Sequence, residues 1–169
     1  MESSELARFE AAVLPHLDAA YTLARYLTRN AHDAEDVVQD ACLRALKYFD
    51  SFRGEEGTSA RAWLLAIVRN TAYTWRRRRG VDALATEFDE TQHSQVEVYD
   101  APDRELLARA LDRLAPEFRE VIVLREIEGL SYKEISDVAG VPVGTVMSRL
   151  SRARAHLQEA LREQGGGLR

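Results

Sequence analysis

The sequence predicts an all-α fold: two small helical domains joined by an acidic flexible linker, the C-terminal one a helix-turn-helix. Three observations carry that prediction. Apolar residues recur at helical spacing through two blocks. No long run alternates apolar and polar residues as a half-buried strand would. A polar, acidic stretch with scattered apolar residues separates the blocks. The expected boundaries are 1–80 for the first domain, 81–101 for the linker and 102–169 for the second domain.

The first block opens with Leu6, Phe9, Val13 and Leu17 at helical spacing, followed by Leu23, Tyr26 and Leu27. Pro15 falls inside this pattern, where a missing N–H and a rigid ring split or kink a helix. Asn30-Ala31-His32 reads as a turn and Asp33 as the cap of the next helix, with Glu35 and Asp36 suited to the positive end of its dipole. Val37, Val38, Ala41, Cys42, Ala45 and Leu46 supply the apolar face. The stretch from Asp50 to Gly57 reads as a loop. Thr58 or Ser59 then caps a third helix carrying Trp63, Leu64, Ile67 and Val68. That helix ends in Arg76-Arg77-Arg78-Arg79, cations that suit a helix C-terminus.

From Gly80 to Ala101 helical periodicity fails. Asp82, Glu87, Asp89, Glu90, Glu97 and Asp100 make the stretch acidic, and it reads as a linker with room for one short helical turn. Pro102 suits the first position of a new helix, built on Leu106, Leu107, Ala110, Leu111 and Leu114 and broken at Ala115-Pro116. Phe118, Val121, Ile122, Leu124 and Ile127 carry the next helix, closed by Gly129. Ser131-Tyr132-Lys133-Glu134 is a capping-box pattern, a hydroxyl followed three residues later by a carboxylate. It opens a short helix with Ile135, Val138 and Ala139 inward. Gly140-Val141-Pro142 is a turn, and Val146, Leu150, Ala153, Leu157 and Leu161 mark one face of a last, longer helix.

Composition narrows the function classes. The chain has 169 residues and a formal net charge of −5, with 46% hydrophobic and 30% charged residues, which is a globular balance. No apolar run approaches the roughly 20 residues that span a bilayer. The acidic start Met1-Glu2-Ser3-Ser4-Glu5 lacks the features of a signal peptide, so a cytoplasmic location without membrane insertion is expected. The single cysteine, Cys42, precludes an intrachain disulfide and reads as a small core residue. His16, His32, His93 and His156 lack ligand spacing, so no metal or other cofactor is expected. No phosphate loop, nucleophile elbow or zinc-protease motif occurs, and the chain is not expected to be an enzyme.

Two regions carry candidate nucleic-acid chemistry. The last helix presents Thr145, Ser148, Arg149, Ser151, Arg152 and Arg154, small or cationic residues, and follows a short helix and a glycine turn, the arrangement that places a recognition helix in the major groove. The same pattern also fits an ordinary solvated helix closing a small bundle. The third helix ends in arginines preceded by Arg69, Asn70, Tyr73 and Trp75, a mixture of cations and rings that suits single-stranded DNA. It fits equally a core helix with a solvated end.

Longer motifs add a resemblance. Asp33-Ala34-Glu35-Asp36-Val37-Val38-Gln39-Asp40-Ala41 resembles a segment of the extracytoplasmic-function (ECF) sigma factors, group 4 of the sigma-70 superfamily. Ser51-Phe52-Arg53-Gly54, Ala62-Trp63-Leu64 and Arg69-Asn70-Thr71-Ala72 resemble the DNA-melting segment of that family. Leu124-Arg125-Glu126, Gly129-Leu130-Ser131-Tyr132-Lys133-Glu134-Ile135 and the segment Pro142 to Leu150 resemble its promoter-reading domain. The motifs occur in family order over nearly the whole chain. The resemblance implies that the first domain docks on the clamp helices of the largest subunit of core RNA polymerase through Asp36, Gln39 and Asp40. It implies −10 recognition and melting by Gly57, Thr58, Ser59, Asn70, Tyr73, Trp75, Arg76 and Arg77. It further implies −35 recognition by Thr145, Met147, Ser148, Arg149 and Arg152, and contact with the flap of the second-largest subunit. Met147 departs from the lysine or arginine common there, so the −35 preference does not carry over. An anti-sigma factor is an expected partner, with indirect membrane tethering through it as a corollary.

The chain is thus expected to be a transcription initiation factor that directs polymerase to promoter DNA. The competing readings are a stand-alone helix-turn-helix regulator and an adaptor that uses both domains for protein contacts alone.

Overall fold

The computed structural model describes residues 3–52, 59–80 and 102–165. The expected linker turn, Gly57 and Thr58 lie outside them. Among the described residues every regular element is helical.

Helix α1 (Ser3–Val13) gives way to a 3-10 turn at Leu14–His16 and then to α2 (Leu17–Thr28), with Pro15 in the turn. The proline splits the apolar pattern as its chemistry requires. Helix α2 stops where Arg29 adopts a left-handed conformation, φ 61°. Helix α3 (Ala31–Lys47) starts earlier than expected. Its cap is Asn30, not Asp33: the Asn30 side chain accepts the Asp33 N–H at 3.0 Å from an extended backbone, φ −153°. Ala31 and His32, expected in a turn, form the first helical turn. Helix α4 (Ala60–Arg79) is capped by Ser59, whose hydroxyl accepts the Ala62 N–H at 3.0 Å, and ends at Gly80 with φ 65°. The fully buried Leu23 and Leu27 of α2 meet Leu64, Leu65 and Val68 of α4. Ala34, Ala41 and Ala45 line the inner stripe of α3, and such small side chains let a helix pack closely. Burial of each leucine contributes about 1.5–3 kcal/mol.

The second domain comprises α5 (Pro102–Asp112), α6 (Pro116–Ile122), α7 (Tyr132–Ala139) and α8 (Val143–Gly165). Helix α6 continues into a π-helical segment, Val123–Ile127, where the Glu128 N–H bonds to the Val123 carbonyl at 3.0 Å. This wider turn corrects the expected apolar face. It shifts the register, so Ile127 is 43% exposed while Val121 to Leu124 are buried. Ser131 and Glu134 form the capping box in full, and Ile135, Val138 and Ala139 point inward as expected. Gly140, φ 69°, closes α7 in the left-handed conformation that favours glycine.

The two domains pack directly on each other, with α4 against α7 and α2 against α6. One continuous apolar core runs through both. One buried arginine joins them, and a second braces the first domain beside it. The Arg119 guanidinium donates to the carbonyls of Leu111 (3.0 Å) and Leu114 (2.8 Å) in its own domain and to Tyr26 (2.9 Å) of α2. Arg76 of α4, 1% exposed, donates to the Leu27 carbonyl at 2.6 Å. Both arginines thereby satisfy carbonyls that helix ends leave open. Burial lowers the Arg119 pKa to about 10, with Arg76 and Arg29 lowering it further against the opposing pull of Asp112.

Candidate nucleic-acid and polymerase interface

Helix α3 presents Asp36, Gln39 and Asp40 to solvent because they lie opposite its buried alanine stripe. Asp40 accepts from Arg44 at 3.4 Å across one exposed turn, a contact that holds neither side chain firmly. Asp36 and Asp40 also line a groove of about 240 Å³ whose other wall is Thr71, Thr74, Trp75 and Arg78 of α4. Acidic residues expected to meet the polymerase therefore adjoin residues expected to meet DNA.

On α4 the expected melting residues separate into two sets. Asn70 and Arg77 are exposed, and Trp75 is half-buried beneath the Arg79 guanidinium, 4.9 Å from the ring centroid. Arg76 departs from expectation: it is buried and committed to the Leu27 carbonyl, so it presents no charge to a nucleic acid in this arrangement. Tyr73 is drawn into the domain interface, where its hydroxyl donates to Glu120 at 3.4 Å. Burial raises the Tyr73 pKa, and the Glu120 charge adds to the rise. Ser59 both caps α4 and donates to Glu134 of the second domain at 3.1 Å. An aromatic cluster stands before the loop, with Phe52 stacked on Trp63 at 4.8 Å and Phe49 edge-on to both Phe9 and Trp63.

On α8, Thr145, Ser148, Arg149 and Arg152 share one face at helical spacing. Ser148, Arg152 and Met147 are exposed, Met147 at 53%, and Thr145 is half-buried. Arg149 belongs to the same face. It is half-buried, and its Nη1 is buried without a hydrogen-bond partner.

Two charged residues that the sequence did not single out, Glu120 and Arg61, lie between the domains. Glu120 is completely buried and accepts from Arg69 Nε at 2.5 Å. Burial raises the Glu120 pKa, while Arg69, Arg149 and Tyr73 pull it down; burial in turn works to lower the Arg69 pKa, but the charge and hydrogen bond of Glu120 outweigh it and raise it. Arg69 also donates to the Asn70 side chain at 3.2 Å and lies over the Tyr73 ring. Arg61 donates to both oxygens of Glu134 at 3.1 Å. The one available signal for Glu120 was the charged pair Arg119-Glu120 standing inside an otherwise apolar helical run, Phe118 to Leu124.

Among the described residues no group of three His, Cys, Asp or Glu side chains converges as metal ligands would. Burial raises the Cys42 thiol pKa, which fits an inert, half-buried position. No helix is long and apolar enough to cross a membrane among the described residues.

Comparison with known proteins places these features. A family model described as Sigma-70 region 2 matches residues 12–81, and one described as Sigma-70, region 4 matches residues 104–157. The chain is 36% identical over 155 residues to the ECF RNA polymerase sigma-E factor of Haemophilus influenzae, covering 82% of this chain and 79% of that protein. It is 36% identical over 167 residues to the ECF RNA polymerase sigma factor SigE of Mycolicibacterium smegmatis, covering 95% of this chain but 64% of that protein. Among solved structures it resembles the sigma factor RpoE in complex with the anti-sigma factor NepR from Bartonella quintana. There the TM-score is 0.75 and the identity 35%, over 92% of this chain and 97% of that one. It also resembles CnrH in complex with the cytosolic domain of CnrY, with a TM-score of 0.66, 31% identity and coverage of 92% and 88%.

Proposed function

We propose a division of labour for this chain, which belongs to the family of ECF RNA polymerase sigma factors. The first domain docks on the clamp helices of the largest subunit of core polymerase through Asp36, Gln39 and Asp40. The end of α4, with Asn70, Trp75 and Arg77, holds the opened −10 strand. The second domain meets the flap of the second-largest subunit and reads the −35 duplex with Thr145, Ser148, Arg149 and Arg152, with Met147 offering an apolar contact to a thymine methyl. The reaction chemistry belongs to the polymerase. An anti-sigma factor holds the protein inactive in the cytoplasm, a reading supported by the solved relative bound to NepR.

The observation that carries this reading is the groove between α3 and α4. It sets Asp36 and Asp40 beside Trp75 and Arg78, so docking on polymerase brings the strand-holding end of α4 to the same place. Exposed carboxylates and an amide suit a basic partner helix, and charge complementarity fixes its register. The test is co-elution with sigma-free core polymerase. The combined substitution Asp36→Ala, Gln39→Ala and Asp40→Ala should weaken core binding by at least tenfold, about 1.4 kcal/mol, with unchanged thermal stability because all three side chains are exposed. Equal binding by the wild type and this variant would contradict the docking assignment.

A further inference from the structure

We propose that a cleft lined by both domains is a binding site for a small molecule carrying a chain of two or more phosphates. The cleft has a volume of about 790 Å³, within the span of roughly 300–1,000 Å³ common for small-molecule sites. Its walls bring together Arg29 and Arg76 of the first domain with Arg109, Arg113 and Arg119 of the second, and Asp112 is the one carboxylate among the described residues that line it. None of Arg29, Arg109, Arg113 and Arg119 carries an assigned contact with polymerase or DNA. Arg119 is fixed at the buried end by the carbonyls of Leu111, Leu114 and Tyr26, which orient its guanidinium without cancelling its charge. Arg76 donates to the Leu27 carbonyl, and Arg29 Nε stands 3.8 Å from Asp112 Oδ1. On the solvent side Arg109 donates to Glu105 at 2.5 Å and Arg113 pairs with Glu163, and the side chains of both pairs are nearly half exposed.

The electrostatics of the cleft favour an anion. Burial lowers the Arg119 pKa to about 10; Asp112 opposes that shift, while the charges of Arg76 and Arg29 deepen it. Cations thus repel one another across the cleft, and an anion seated among them relieves the repulsion. The exposed pairs with Glu105 and Glu163 contribute little and exchange readily for a ligand. Each guanidinium is a planar fork that fits phosphate oxygens two at a time. Several such forks around one cleft match a ligand whose negative charges follow one another along a short chain, as in di- and triphosphates. Leu106 and Pro116 add an apolar wall that a nucleoside can cover. The phosphate chain is the shared chemistry, and inorganic polyphosphate and a nucleotide are its two sources.

The experiment titrates the full chain by calorimetry, in magnesium-free buffer at constant ionic strength, with sodium tripolyphosphate, ATP and sodium citrate. Tripolyphosphate and ATP should bind, and citrate should bind about tenfold more weakly or less. Tighter binding of ATP than of tripolyphosphate assigns the site to nucleotides; equal or weaker binding of ATP assigns it to the phosphate chain alone. The double variant Arg109→Gln, Arg113→Gln should lose about tenfold or more in affinity for both phosphate probes. Its control, Arg8→Gln, Lys133→Gln, removes the same charge from exposed positions outside the cleft and should stay within about twofold of the wild type. Both cleft arginines are nearly half exposed, so the variant should fold. If it does not, Arg109→Lys, Arg113→Lys keeps the charge but loses the forks, and should weaken binding about threefold or more. The proposal is overturned by the absence of binding of both phosphate probes at about 1 mM, by citrate binding as tightly as they do, or by equal affinity of the cleft variant and the control.

Discussion

At the scale of single residues, the side chains that set this structure are charged residues in apolar surroundings. Arg119 is 2% exposed and its guanidinium is satisfied by backbone carbonyls from α2, α5 and the turn after α5. Arg119→Met keeps much of the stem's packing but leaves those carbonyls without a donor. It should destabilise the protein by about 3 kcal/mol, measured by urea denaturation, while Arg77→Met at an exposed position should stay within about 0.5 kcal/mol. A loss below about 1 kcal/mol at Arg119 would show that water replaces the guanidinium easily. Residues of this kind are the least legible in a sequence. Four consecutive arginines read as a solvated cationic helix end, and only the three-dimensional packing shows that Arg76 turns inward to the Leu27 carbonyl while Arg77 faces out. Glu120 likewise looks like one more surface carboxylate until α4 is placed against it.

At the scale of elements, local chemistry was far more readable. Pro15, Ser59, the Ser131–Glu134 capping box and Gly140 each act within one helical turn, and each marks its boundary where expected. The misses have local causes too. Asn30 competes with Asp33 as a cap because both side chains can accept an N–H three residues on, and Arg29, held at φ 61°, starts the next helix at Asn30. The π segment at Val123–Ile127 has no sequence signature in an apolar run, so the exposure of Ile127 was not foreseen. Glu134 serves two elements at once, closing the α7 capping box and receiving Arg61 from α4. Against some burial, hydrogen bonds from the Ser131 backbone, Arg61 and Ser59 hold its pKa below the ordinary glutamate value of 4.5. A lowered folded-state pKa contributes stability that is full above the unfolded value and is lost as pH falls through the folded one. The stability difference between wild type and Glu134→Gln should therefore be constant from pH 7 to about 5 and shrink on further acidification. A difference that grows towards low pH would contradict this role.

At the scale of the whole molecule, a chain with net charge −5 presents exposed arginines at the end of α4 and on α8, and the Arg69–Glu120 ion pair joins its two domains. An acidic average opposes non-specific attraction to phosphates, and Arg69 and Tyr73 stand half-buried between the domains. The all-α, two-domain organisation was legible because periodicity and capping are local. The packing of one domain on the other was not, because it rests on contacts between residues 47 to 93 positions apart. The most direct measurement is permanganate reactivity of unpaired thymines on a pool of bacterial promoter fragments, with the protein and sigma-free core polymerase mixed and each alone. The account predicts reactive thymines on a defined subset of fragments with the mixture only. Sequence-specific duplex binding by the protein alone, with no unpaired thymines in the presence of core polymerase, would contradict it and identify a stand-alone regulator instead.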